Sequence, residues 1–192
     1  DPFENYGHDM MAEIVKYSIV GGEVARGRKF DVIHAHDWMT FLAGIEAKKV
    51  SGKPLVVHVH SLEHDRSGDS SNPDICRIEK TGMEAADLVI AVSCYTKEKI
   101  VKIYGIPQAK IRVVHNAVSK EKRLIEHKIK RNLKEKIVLF LGRVTFQKGP
   151  EYFIEAAKKV AEKVKNVRFV MAGSGDMFPH MIDRVALLKL GD

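Results

Sequence analysis

Six short apolar runs rich in β-branched residues, at 32–36, 55–60, 88–92, 112–115, 137–141 and 167–172, alternate with longer stretches of helical periodicity. That alternation restricts the chain to an α/β fold built on parallel strands, because parallel neighbours need a helical crossover between them. The runs are nearly continuous in apolar residues, so both faces of each sheet are expected to be covered by helices. From Pro150 onward, Phe153, Ala157, Val160, Ala161 and Val164 share one helical face, with Lys158, Lys159, Glu162 and Lys163 opposite. Ser93 or Thr96 can cap a second helix that Gly105 and Pro107 stop after Tyr104, and a third is expected over 75–86.

The net charge is +7, and +5 of it lies in 119–136, which holds eight Lys or Arg and three Glu. This segment has no aromatic residue on which a base could stack, which argues against a nucleic-acid partner and for a solvated linker. It divides the chain into three expected parts: an α/β unit over 1–120, a charged linker over 121–135 and a second α/β unit over 136–192. Both units read as incomplete, the first lacking an earlier strand and the second holding only strand, helix, strand and the start of a helix. Asp1 replaces an initiator Met, and Asp192 follows directly on a helical pattern, so a piece of a longer protein is expected. Hydrophobic content of 45% with 30% charged residues suits a chain that buries a core. No apolar run approaches the roughly 18 residues of a membrane span. Cys76 and Cys94 lie in no metal-binding or C-x-x-C spacing, so reduced thiols and a cytoplasmic location are the default expectation.

Three segments carry chemistry. In VLFLGRVTFQKGP, Gly142 and Arg143 follow the strand and Lys148 precedes a helix start. Ligands of open α/β sheets gather at the carboxyl ends of strands, and a helix amino terminus favours anions, so Arg143 and Lys148 can clamp a diphosphate. They can equally be a carboxylate partner and a solvated loop residue. In DVIHAHDW and LVVHVHS, His34 with His36 and His58 with His60 have the two-residue spacing that puts side chains on one strand face. Four imidazoles at two strand ends admit a metal site, and with it a metal-dependent hydrolase. The alternative is that His34 and His58 are hydrogen-bonded core residues while His36 and His60 stand at the mouth. His64 to Gly68 form a polar loop from which Arg66 could grip a sugar hydroxyl or phosphate, and which can equally be an ordinary exposed loop. Gly173-Ser174-Gly175 after the last strand is a weak phosphate-loop signal.

HAHDW, AADLVIAVS, VVHNAVS, LGRVTFQKG and FVMAGSG, in this order, resemble the retaining glycosyltransferases of the GT-B fold, particularly the glycogen and starch synthase type. The resemblance covers nearly the whole chain. It implies two Rossmann-like units, the first on the acceptor side and the second binding a nucleotide-sugar. It assigns Arg143 and Lys148 to the donor diphosphate and His36 to the transferred sugar, with Asp37 and Trp38 shaping that pocket. His60 and Arg66 become acceptor-side or cleft residues, and Gly142, Gly173 and Gly175 join the substrate-binding residues. The implied reaction moves a hexose, glucose from ADP- or UDP-glucose, to an α-glucan as oligo- or polysaccharide acceptor, retaining configuration without a metal or other cofactor. A non-catalytic relative that binds glucan or nucleotide-sugar is the other possibility. The family's first glycine-rich loop would precede Asp1 and its paired glutamates would follow Asp192, so the chain as it stands is expected to be inactive. HNAVS also departs at Asn116 from the family's usual Asn-Gly-Val-Asp type of hinge.

Overall fold

The computed structural model describes residues 8–118 and 135–191, and the chain divides into two compact units, Asp1–Ser119 and Lys120–Asp192. The charged segment expected as a linker lies outside the described residues except for Glu135 and Lys136 at its end. The first unit runs α1 (His8–Arg26), β1 (Ile33–His36), α2 (Trp38–Ser51), β2 (Leu55–Val59), α3 (Glu63–Ser67), α4 (Pro73–Ala85), β3 (Leu88–Ala91), α5 (Cys94–Lys99) and β4 (Ile111–Val113). Its strands form one parallel sheet in the order β1-β2-β3-β4.

Local chemistry accounts for the helix ends. The Asn72 side chain accepts from the Asp74 amide at 2.9 Å, and Pro73 opens α4, where a missing N–H costs nothing. Ser93 Oγ accepts from the Thr96 amide at 3.0 Å to start α5, which continues as a π-helical turn over Ile100–Tyr104. Gly105, at φ 70°, closes that turn in the left-handed conformation that a side chain disfavours. At the amino ends of the strands, Asp87 accepts from the Leu55 amide at 2.7 Å and from Lys48 Nζ at 2.8 Å. The Lys48 contact first, and the Leu55 amide second, hold this carboxyl below its usual range. The aspartate of AADLVIAVS thus ties α2 to two strands.

The core occupies one face of the sheet. Ala35, Leu55, Val57, Val59, Val89, Ala91 and Ile111 are all at most 5% exposed and pack with Phe41, Met83, Ile100 and Tyr104. Each such Leu or Val contributes about 1.5–3 kcal/mol. Helix α4 approaches α2 so closely that a Cβ on Gly82 would collide with the Phe41 ring. The expectation of helices on both faces is not met among the described residues. Burial along β2 alternates, and the opposite face presents His34, His36, Val56 and His58.

The second unit runs β5 (Lys136–Leu141), α6 (Pro150–Ala161), β6 (Val167–Ala172) and α7 (Phe178–Leu187), with β5 and β6 parallel. Its small core centres on Val144, Ile154 and Met181. Helix α6 stops at Ala161 and buries Pro150, Ile154 and Ala157, so the apolar stripe expected through Val160 and Val164 is rotated. Those two valines remain exposed, because the described residues offer α6 only two strands and α7 to pack against. Leu139 and Leu141 are 53% and 78% exposed, a large apolar surface for a two-stranded sheet. Among the described residues no helix is long and apolar enough to cross a membrane, and both cysteines are free.

Candidate functional site

The carboxyl ends of β1 and β2 carry a ladder of four imidazoles. Parallel pairing sets His36 opposite His58, and the two-residue period puts His34, His36, His58 and His60 on one face. The His34 and His58 rings lie parallel at 5.5 Å, and His58 and His60 stack at 4.3 Å. His36 Nδ1 and His60 Nε2 are 3.0 Å apart, so one ring donates and the other accepts. Both ring nitrogens of His58 are shielded from solvent and have no hydrogen-bond partner among the described residues. His58 therefore lies deep in its strand, as the sequence suggests, but without the hydrogen bond expected of a core histidine. His34 is exposed and joins the ladder instead of the core.

Asp37 organises the end of this ladder. It stands at φ 56° and ψ 169°, a conformation costing about 1–3 kcal/mol in a residue with a side chain. Its Oδ1 accepts from the His60 amide at 2.8 Å, and its own amide donates to the His58 carbonyl at 2.9 Å. These bonds offset the strain and fix the chain just past both strands. Trp38, expected to shape a sugar pocket, turns inward and is buried in the core at 7% exposure.

Partial burial, reinforced by the charges of neighbouring histidines, lowers the pKa of His34 and His58 below 6.5, and Asp37 opposes this weakly at His58. The folded state consequently resists protons that the unfolded chain accepts. This contribution to stability is complete above 6.5 and is lost as pH falls below it. In chelator-containing buffer the first unit is expected to melt lower at about pH 5.5 than at about pH 7.5, and His34→Gln should reduce the difference. Equal melting temperatures at both values would contradict this.

Arg66 has an internal role. Its Nε donates to Glu63 at 3.1 Å, one terminal nitrogen donates to the Ser61 carbonyl at 2.9 Å, and the other donates to Glu79 at 2.7 Å. Glu63 and Glu79 are buried, and Tyr104 donates its hydroxyl to Glu79. Burial raises the Glu79 and Tyr104 pKa values, while the Tyr104 and Arg66 hydrogen bonds work against the rise at Glu79. The polar stretch after β2 is thus largely helical and pinned from beneath, unlike the exposed loop its composition suggests. Neither Glu79 nor Tyr104 carries a local signal for this network, since each sits at an ordinary helical position.

In the second unit, Gly142 and Arg143 follow β5, and Lys148 ends a 3-10 turn (Phe146–Lys148) just before α6. Arg143 and Lys148 are both exposed, and neither makes an ion pair among the described residues. Gly149, at φ 60°, leads into α6, whose first turn has no side-chain cap. Beyond the strands the backbone pairing continues: Gly142 N–H donates to the Ala172 carbonyl at 3.1 Å and Val144 N–H to the Ser174 carbonyl at 2.8 Å. A Cβ on Gly173 would collide with the Gly142 carbonyl, and one on Gly175 with the Val144 carbonyl. These glycines are required by close backbone approach, a role G-x-G alone does not reveal. The shielded Thr145 hydroxyl has no partner among the described residues, and no sequence motif marks it.

Residues 18–122 match the model for Glycosyltransferase Family 4, and residues 121–192 match that for Glycosyl transferases group 1. An uncharacterized glycosyltransferase of Methanocaldococcus jannaschii is 36% identical over 81% of this chain and 43% of its own length. The alpha-maltose-1-phosphate synthase of Mycolicibacterium smegmatis is 32% identical over the same shares, so the chain spans less than half of either relative. Among solved structures, an Anabaena protein in complex with UDP-glucose shares the fold at a TM-score of 0.62 and 19% identity, over 93% of this chain and 49% of that one. With one family model matching more than half of its residues and the other most of the remainder, on two parallel α/β units, this chain belongs to the group 1, family 4 glycosyltransferases of the GT-B fold.

Proposed function

We propose that the full-length protein is a retaining glycosyltransferase that moves a hexose, glucose from UDP- or ADP-glucose, to an α-glucan acceptor. The observation that carries this reading is the pair of cations, Arg143 and Lys148, which make no ion pair among the described residues and stand at the carboxyl end of β5 and the start of α6. A strand end and a helix amino terminus both favour anions there, and two cations of different shape suit a diphosphate. The family match and the UDP-glucose held by the Anabaena neighbour support a nucleotide-sugar. The name of the mycolicibacterial relative favours a glucose-derived product.

In this reading the second unit holds the donor and the first the acceptor, with His36 against the transferred sugar. The acceptor hydroxyl attacks the anomeric carbon from the face the diphosphate leaves. The bond from that carbon to the diphosphate oxygen breaks, and the hydroxyl proton passes to a leaving-group phosphate oxygen. Arg143 and Lys148 stabilise the charge that grows on the diphosphate. Incubation of the full-length protein with each donor and a maltooligosaccharide should release nucleoside diphosphate and yield an α-linked product by NMR. A β-linked product would refute retention. Failure of both donors would refute glucosyl transfer to glucan, and donor binding without turnover would favour the non-catalytic relative.

A further inference from the structure

The histidine ladder contains more than a sugar contact requires. One imidazole is enough to meet a sugar, yet four converge here, and each of His34, His36 and His58 offers a ring nitrogen within 4.8 Å of those of the other two. His58 adds an independent sign. Both of its ring nitrogens are shielded and unpartnered among the described residues, and an unmade hydrogen bond at a buried site costs about 1–3 kcal/mol.

We propose that His34, His36 and His58 form a binding site for one divalent transition-metal ion of the zinc class. Three imidazoles suit zinc, nickel or copper, whereas magnesium and calcium require oxygen ligands. In a tetrahedral shell with bonds of about 2.0–2.1 Å, ligand nitrogens stand about 3.4 Å apart. Drawing the nitrogens together by up to about 1.4 Å completes the shell from the observed spacing. The fourth histidine supports the others. If His36 Nδ1 donates to His60 Nε2, the hydrogen bond seen at 3.0 Å, then His36 Nε2 keeps its lone pair for the metal. Asp37 holds the His60 amide at 2.8 Å, so this second partner is itself fixed. The ion would withdraw His36 from any sugar, making it an inhibitor of the proposed transfer. Metal binding itself does not rest on the transfer reading.

Calorimetric titration of chelator-stripped full-length protein with zinc, and with cobalt followed by its visible d–d absorption, should show saturable binding of one ion. Magnesium should give none. X-ray absorption at the zinc edge should show a shell of three imidazoles. His34→Ala, at an exposed position outside the core, should weaken binding by more than about a hundredfold and remove one imidazole from the shell. His60→Ala should cost about tenfold to a hundredfold, the range of an outer partner. His180→Ala, in the other unit, serves as control. Absence of saturable binding, or affinity unchanged in both His34→Ala and His58→Ala, overturns the site.

Discussion

Arg143→Ala in the full-length protein is expected to lower kcat/KM for nucleotide-sugar by about 10²–10³-fold, the range for losing one preorganised donor to a developing oxyanion. Lys148→Ala should fall in the same range. The contact strengthens as the sugar departs, so kcat should fall. It also exists in the bound donor, so KM should rise as well. Thermal unfolding should not move, because neither side chain makes an ion pair within the described fold. Lys159→Ala, on an exposed turn of α6, is the control and should retain activity. The double variant should lose less than the product of the two single losses if both cations grip one diphosphate. Near-normal turnover in both single variants would remove them from the donor site.

For stability, the largest effect is expected at Arg66. Arg66→Ala leaves Glu63 and Glu79 buried without their cation, and breaking a buried pair on one side costs about 3–5 kcal/mol. Arg66→Lys should recover little, since one ammonium cannot reproduce a fork that bonds Glu63, Glu79 and Ser61 together. The loss should shrink toward acid pH. Burial already raises the Glu79 pKa, and without its arginine this carboxyl takes up a proton still more readily. Urea unfolding of the variants measures the cost. Unchanged stability with lost transfer would instead restore Arg66 as a residue that grips the acceptor.

Arg66 shows why parts of the site resist reading from sequence. Its polar neighbours mark an exposed loop, but Glu79 lies 13 positions away and Tyr104 another 25 beyond Glu79. Trp38 makes the same point. It follows HAHD at a strand end, where a pocket-lining ring is expected, but the first turn of α2 directs it into the core. At Gly173 and Gly175 the sequence suggests a phosphate loop, but not that the carbonyls of Gly142 and Val144 lie against them. Each of these roles depends on a partner brought near by folding.

What the sequence by itself determined is whatever depends on neighbours within a turn or a strand. Apolar periodicity marked every strand and the parallel α/β class, Ser93 and Gly105 marked helix ends, and Arg143 and Lys148 stood beside a strand end and a helix start. Only the tertiary structure decided which sheet face is covered, that His36 lies opposite His58, and that Arg66 turns toward two buried glutamates. The physical reason is range. Backbone preferences and helix ends are fixed within a few residues, whereas strand register, close backbone approach and buried ion pairs join groups that only the folded chain brings together.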